Sequence, residues 1–287
     1  MTESTSGGPT ARRIIVGAQL RRLREGCGVS REDAGYAIRG SESKISRMEL
    51  GRVGLKPRDI EDLLTLYKVT DEESRTAILG LVRDSNLHAW WHEYDDILPD
   101  WFRTYVGLEE DAMMVRLFQS HVVPGLLQTE EYARAAIAAG RPDYRSAEVE
   151  RTVELRKSRS AQLAKRNPLR VWAVIDEAAL RRPVGGSVVM RGQLEHLIQL
   201  TTQSHITIQI LPFHAGAQAS YAGAFNLLRF YDEGLPDIVY LENLVGALYL
   251  DKRDQVDRYT RVMDRLAAEA LPPERTEPMI RSILAIL

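Results

Sequence analysis

The stretch that decides the fold is Ser30 to Arg52, SREDAGYAIRGSESKISRMELGR. It reads as two helix starts and two stops. Ser30 stands before Arg31-Glu32-Asp33, a variant of the capping box in which the serine hydroxyl meets a free amide and an acid follows three positions on. The short helix it opens ends near Ile38 to Gly40, where Arg39-Gly40 makes a tight turn. Ser41 or Gly40 caps the next helix, from Glu42 to about Leu50, with Ile45 and Met48 as its buried stripe. Gly51 ends it in the left-handed conformation that glycine takes without cost. A turn of about 100° per residue then leaves Glu42, Ser43, Ser46 and Arg47 outward and Lys44 on the flank.

On either side the punctuation continues. From Ile14 the apolar positions follow a helical period that closes at Gly26 and Gly28. Pro57 sits in the first turn of a fourth helix whose Ile60, Leu63, Leu64 and Tyr67 face inward, and Glu72 to about Arg83 makes a fifth. Residues 1–11 are rich in Ser, Thr and Gly and read as a disordered tail, so 12–85 form a small helical domain. The tryptophan-rich HAWWHEYDDILPDWF then changes the texture, which puts the second domain at 86–287.

In that second part helices are expected at Trp101 to Glu110, Glu130 to Ala139, Ala147 to Lys165, Met190 to Thr202, Asp254 to Ala270 and Thr276 to Ile286. Strands are expected at Met114 to Gln119, Arg170 to Ile175, Ile206 to Leu211, Ala224 to Phe230, Ile238 to Glu242 and Ala247 to Leu250. The irregular alternation predicts a mixed α+β domain, with a mainly antiparallel or mixed sheet and C-terminal helices, rather than a doubly wound one.

Charge is distributed unevenly. Arg12 to Arg58 holds twelve basic residues against five acidic ones, a net of +7, while the chain as a whole carries −2. A basic segment on an otherwise acidic protein suits docking to a polyanion, because clustered Lys and Arg release the counterions of a phosphate lattice. A solvated helical surface would show the same excess, so the charge by itself leaves the matter even. The opening residues lack the apolar core of a signal peptide and no run is long enough for a bilayer span, so the expected location is the cytoplasm, on the nucleoid when bound to DNA. The single cysteine, Cys27, excludes an internal disulfide and multi-cysteine zinc patterns, and packing is its expected role.

Catalytic patterns are sparse. His88 and His92 are spaced as i and i+4, but no third ligand accompanies them and Trp90-Trp91 between them points to packing, so no metal is expected. Glu109, Glu110, Asp111, Glu177 and Glu242 could converge with Arg156 as an acid/base or nuclease-like site, although salt-bridged structural carboxylates are the commoner outcome. No GxSxG, P-loop or dinucleotide fingerprint is present, so neither catalysis nor a cofactor is expected. Pro124-Gly125-Leu126-Leu127-Gln128 is distinctive: it is either a plain strand-to-helix connection or an apolar edge that meets a partner.

The run SREDAGYAIRGSESKISRMELGR to LLTLYKV resembles the helix-turn-helix of XRE or Cro-like repressors, including the Ser46-Arg47-x-Glu49-x-Gly51 ending of their recognition helix. DDILPDWFRTYVGLEEDA, VPGLLQTEEYARA, VIDEAALRRPVGG and IVYLEN are similar to the domain of unknown function fused to such units in actinobacterial, antitoxin-like regulators. The resemblance implies a Cro-like domain of five helices in which Glu42, Ser43 and Arg47 read bases and Arg31, Lys44 and Ser46 contact phosphates. It makes Glu49 structural, tied to Arg24 of the first helix. Gly35 departs from the family, which usually has Ala there.

The implied function is sequence-specific transcriptional regulation, with the second domain binding a small protein encoded by a neighbouring gene, or a signal. The rival reading is an enzyme or toxin-like effector that the helix-turn-helix addresses to DNA. Because one recognition helix touches few base pairs, a homodimer on an inverted-repeat operator is expected, held through Tyr259, Val262, Leu266, Met279, Ile283 and Leu284 of the terminal helices.

Overall fold

The computed structural model describes residues 9–86, 89–215, 223–231 and 235–287. They form two compact units: one is drawn from the chain up to Glu93 with Arg103–Asp111 and Tyr231–Leu235, the other from Tyr94–Phe102, Ala112–Phe230 and Pro236–Leu287.

The first unit is helical. Its helices are Pro9–Gly26 (α1), Arg31–Ala37 (α2), Glu42–Glu49 (α3), Pro57–Leu66 (α4) and Glu72–Ser85 (α5). Local chemistry sets their ends. The Ser30 hydroxyl accepts from the Asp33 amide at 3.0 Å, that of Ser41 from Lys44 at 3.2 Å, and the Asp71 carboxylate from Ser74 at 2.9 Å. Ser41 is thus the cap of α3, which closes at Gly51 with φ +65°. Their inward stripes meet in one core that includes Val16, Leu20, Ile45, Met48, Leu63 and Val82. Gly35 has a steric reason: a Cβ there would lie 2.9 Å from the Ser41 carbonyl carbon, so the turn between α2 and α3 packs on bare backbone.

Helix α1 begins at Pro9, inside the stretch expected to be a tail, and the cause is tertiary. Thr10 is buried, and a Cβ on Gly107 would come within 2.0 Å of its Oγ1. Gly107 belongs to the helix Asp100–Asp111 (α6), whose residues from Arg103 on are part of this unit. The first unit also extends past the expected boundary near residue 85. Trp91 is buried, and Trp90 Nε1 donates to Glu110 Oε2 at 3.0 Å. His88 lies outside the described residues, as do residues 1–8 of the expected tail.

The second unit is built on a six-stranded sheet of Met114–Gln119 (β1), Arg170–Asp176 (β2), Ile206–Leu211 (β3), Phe225–Arg229 (β4), Ile238–Asn243 (β5) and Gly246–Leu250 (β6). The order is β3-β2-β1-β4-β5-β6. The first three strands are parallel and the last three antiparallel, so the sheet is mixed and changes sense at β1. Parallel pairing requires crossovers. Glu130–Gly140 (α7) and Ser146–Ser160 (α8) join β1 to β2, and Glu177–Arg181 (α9) with Gly186–Leu200 (α10) joins β2 to β3.

Arg253–Glu269 (α11) lies on one sheet face, where its Val256, Met263 and Leu266 pack with Phe118, Val174, Phe225 and Val239. This corrects the expected dimer surface at Leu266 and Ile283, while Tyr259, Val262, Met279 and Leu284 are half-buried. Tyr259 and Val262 belong to the same packed layer, Leu266 is fully buried, and Ile283 of Thr276–Leu284 (α12) is 1% exposed. An amphipathic stripe is satisfied by any apolar cover, and here the chain's own sheet supplies it.

Candidate nucleic-acid interface

Helix α3 is divided as its sequence requires. Ile45 and Met48 are each 1% exposed, whereas Glu42, Ser43 and Arg47 are exposed and Lys44 and Ser46 are half-buried. Short polar side chains and a forked cation therefore share the open face. Arg47 Nε reaches the Ser43 carbonyl at 3.4 Å, a long contact that leaves most of its donors outward.

The two flanking cations are already paired. Lys44 Nζ lies 2.6 Å from Asp59 Oδ2, which ties α3 to α4. Arg31 Nε donates to Glu49 Oε2 at 3.0 Å. Phosphate contacts by either would have to compete with, or add to, these carboxylates.

Glu49 is the structural centre of the unit. Its buried carboxylate accepts from Arg24 Nε at 2.5 Å and Arg24 Nη2 at 3.3 Å, besides the bond from Arg31. The Arg24 guanidinium also donates to the Val29 carbonyl at 2.9 Å, which fixes the loop between α1 and α2. The hydrogen bond to Glu49 raises the Arg24 pKa further, against the effect of burial. Glu25 also meets the Arg24 guanidinium, at 3.3 Å, so a small ion-pair network joins α1, α2 and the end of α3. Beside them Tyr67 is 2% exposed, and burial, followed by the field of Glu49, pushes its phenol up to about 12. Cys27 is exposed, and its thiol contacts the Tyr67 carbonyl at 2.9 Å.

Sequence reasoning gave no role to Tyr36, which is 87% exposed on α2. A signal was available. Ala34, Gly35 and Ile38 are the buried positions there, and a helical turn that buries them sends Tyr36 outward, next to the exposed Arg39 with its φ of +52°.

The other expected residues do not gather into an acid/base site, although Leu126, Gln128 and Arg156 share one cavity. Leu126 and Leu127 are 4% and 0% exposed, so the Pro124 to Gln128 segment offers no apolar edge. It is clasped instead. Gln193 donates to the Leu127 carbonyl and accepts from the Thr129 amide, both at 2.8 Å, and Gln128 Nε2 donates to the Val123 carbonyl at 2.6 Å. Glu177 has both oxygens engaged, by Arg181 Nε at 2.6 Å and the Phe213 amide at 2.9 Å. Glu242 is exposed at the end of β5, where its field acts to raise the Arg156 pKa without an ion pair between them. Among the described residues no three His, Cys, Asp or Glu side chains are placed to hold a metal, and no helix is long and apolar enough to cross a membrane.

A capped α2, a tight turn and a short α3 with a polar outer face, set in a five-helix core, make this a helix-turn-helix protein whose partner is DNA. Residues 15–77 match the family described as helix-turn-helix domain, and residues 102–282 match the domain of unknown function DUF5753. The latter match covers more than half of the chain, which belongs to the DUF5753 family. No curated protein and no solved structure matches it.

Proposed function

We propose that the chain is a sequence-specific transcriptional regulator of the XRE, antitoxin-like kind, which binds an inverted-repeat operator as a homodimer. One observation carries this reading: α3 buries Ile45 and Met48 and presents Glu42, Ser43 and Arg47 to solvent. In this account these three read bases, while Ser46 and, from within their ion pairs, Arg31 and Lys44 meet phosphates. Tyr36 joins the contact from α2. The second unit serves binding rather than catalysis, receiving a small protein encoded by a neighbouring gene or a small-molecule signal. The engagement of both Glu177 oxygens supports this, since it removes the carboxylate that follows β2 from acid/base work. The protein acts in the cytoplasm, on the nucleoid when DNA-bound.

The test is operator selection followed by binding curves for Arg47→Ala. The variant should lose about 1–3 kcal/mol of affinity and relax selectivity at one base position, since a guanidinium on guanine is the commonest specific contact. Unchanged affinity and selectivity would remove α3 from the interface. Light scattering of the full chain with and without operator checks the dimer.

A further inference from the structure

The second unit contains a cavity of about 750 Å³ between α7, α8 and α10 that no part of the DNA-binding reading uses. Its volume is that of sites for small organic ligands. Leu126, Val153, Leu163 and Leu200 are its apolar members, Glu130, Glu131 and Lys157 stand among its charged ones, and Arg156 and Gln128 form a hydrogen-bonded polar pair.

Arg156 is the unusual member. It is half-buried, and its one hydrogen bond is to Gln128 Oε1; among the described residues no carboxylate lies within ion-pair distance of it. Arg24 and Arg116, by contrast, each sit directly on an acid, Arg24 on Glu49 and Arg116 on Asp264 at 2.6 Å. Burial, and then the neighbouring Arg159, lower the Arg156 pKa, so the fold holds a charge there at a disadvantage. Gln128 is itself held by its bond to the Val123 carbonyl, which leaves its oxygen to orient the guanidinium and the remaining donors for something else.

Glu242 acts to raise the Arg156 pKa through its field but is exposed and forms no ion pair with it, and the acids of the lining do not fill that role either. Glu130 pairs with Lys157 at 2.7 Å, and Glu131 contributes to the field around Arg134. His196, also on the wall, has its pKa lowered by burial, so it is neutral at pH 7 and adds no charge of its own. The cavity therefore combines a cation that has no acid in direct contact with a lining in which apolar and polar side chains are mixed. A neutral apolar molecule would leave Arg156 without an anion, whereas a single carboxylate matches its one charge.

We propose that this cavity binds a small amphiphilic carboxylate, an organic acid whose anionic group pairs with Arg156 and whose apolar body lies against Leu126, Val153, Leu163 and Leu200. The proposal rests on reading the second unit as a receiving module and names the chemical class received. Its test contains no DNA, so failure here leaves operator binding intact, and failure of operator binding leaves this result standing.

The experiment is calorimetric titration of the full chain with decanoate and 1-naphthoate, with decanol and decyltrimethylammonium as controls of like body but different charge. At least one acid should bind with a stoichiometry near one and at least about tenfold more tightly than decanol. Arg156→Gln should remove that preference by weakening the acid, with decanol bound no less tightly than by the unsubstituted chain. Gln203→Trp, at an exposed position on the rim, should weaken the acid at least about fivefold and does not depend on Arg156→Gln folding normally. No binding by either acid, no preference over decanol, or a preference that survives both substitutions would overturn the proposal.

Discussion

The two units differ in what stands at their most buried polar positions. In the first, a carboxylate with 2% side-chain exposure holds two arginines. The second also has ion pairs, Glu177 with Arg181 and Arg116 with Asp264, but adds neutral amides. Gln193 is fully buried and bridges Leu127 and Thr129, while Gln209 is 5% exposed, donates to the carbonyls of Ala267 and Leu271 and accepts from Trp172 Nε1. An ion pair fixes the angle between helices but exposes the fold to a large loss if one member is removed. An amide satisfies backbone groups at a smaller desolvation cost and has no charge to strand. A unit of five short helices with one small core gains from the first solution; a sheet covered by helices can use the second.

The largest expected effect comes from breaking the charged solution. Glu49→Ala leaves Arg24, with only 8% side-chain exposure, with the exposed Glu25 at 3.3 Å as its acid partner, and should destabilise the first unit by about 3 kcal/mol. Arg24→Ala/Glu49→Ala should recover part of the loss, because no buried charge then stands alone. Strict additivity in denaturant melts of the four proteins would mean that the pair has no coupling and that the comparison fails on its first side.

Gln193→Met tests the other side. It keeps the volume and removes both hydrogen bonds, leaving the Leu127 carbonyl and the Thr129 amide without a partner. The expected cost is about 2 kcal/mol. It should be equal at acid and neutral pH, since none of these groups titrates there. A loss as large as that of Glu49→Ala would show that amide and ion pair are equivalent in this protein.

Which of these features the sequence disclosed follows from the same physics. All six described strands lie within a residue or two of their expected positions, because short apolar runs, β-branched in β2, β3 and β5, state both type and ends. Arg24 with Glu49 was legible only through family resemblance, as their separation of 25 residues has no local signature. Gln193 was invisible: within GQLEHL a glutamine reads as solvated surface. The start of α1 was missed because Thr10 is ordered by packing that involves Gly107, which no local rule conveys. The leucines of Pro124 to Gln128 and the stripe of α11 were known to be apolar, but period and composition say that a side chain seeks cover, not what covers it.

Tyr67 sharpens the comparison at alkaline pH. Its hydroxyl has no hydrogen-bond partner among the described residues, and its pKa is raised to about 12 by burial and by Glu49. The sign follows from linkage. The unfolded phenol ionises near the reference value of about 10, while the folded one stays protonated, so the stability present below pH 10 is lost as pH rises towards 12. The loss should be on the order of 2 kcal/mol. Tyr67→Phe should be neutral or slightly stabilising at pH 7 and should flatten this decline. An equally steep decline in the variant would assign it to other groups.

The smallest effect concerns the pair that carries the charged solution to the surface. Lys44 and Asp59 are 2.6 Å apart with side-chain exposures of 32% and 14%, so solvent screens them and the pair should contribute about 0–1 kcal/mol to stability. Its interest lies in binding. If Lys44 also meets a phosphate, Lys44→Ala should weaken binding to every DNA sequence alike and reduce the slope of log affinity against log salt by about one unit at most, since Asp59 already offsets part of the charge. Asp59→Asn should do the reverse, strengthening binding to all sequences without changing their order. Titrations across a salt series read both variants. Flat results for both would make Lys44 a clip between α3 and α4 like Arg24 between α1 and α3, and the base-reading face would then narrow to Glu42, Ser43 and Arg47.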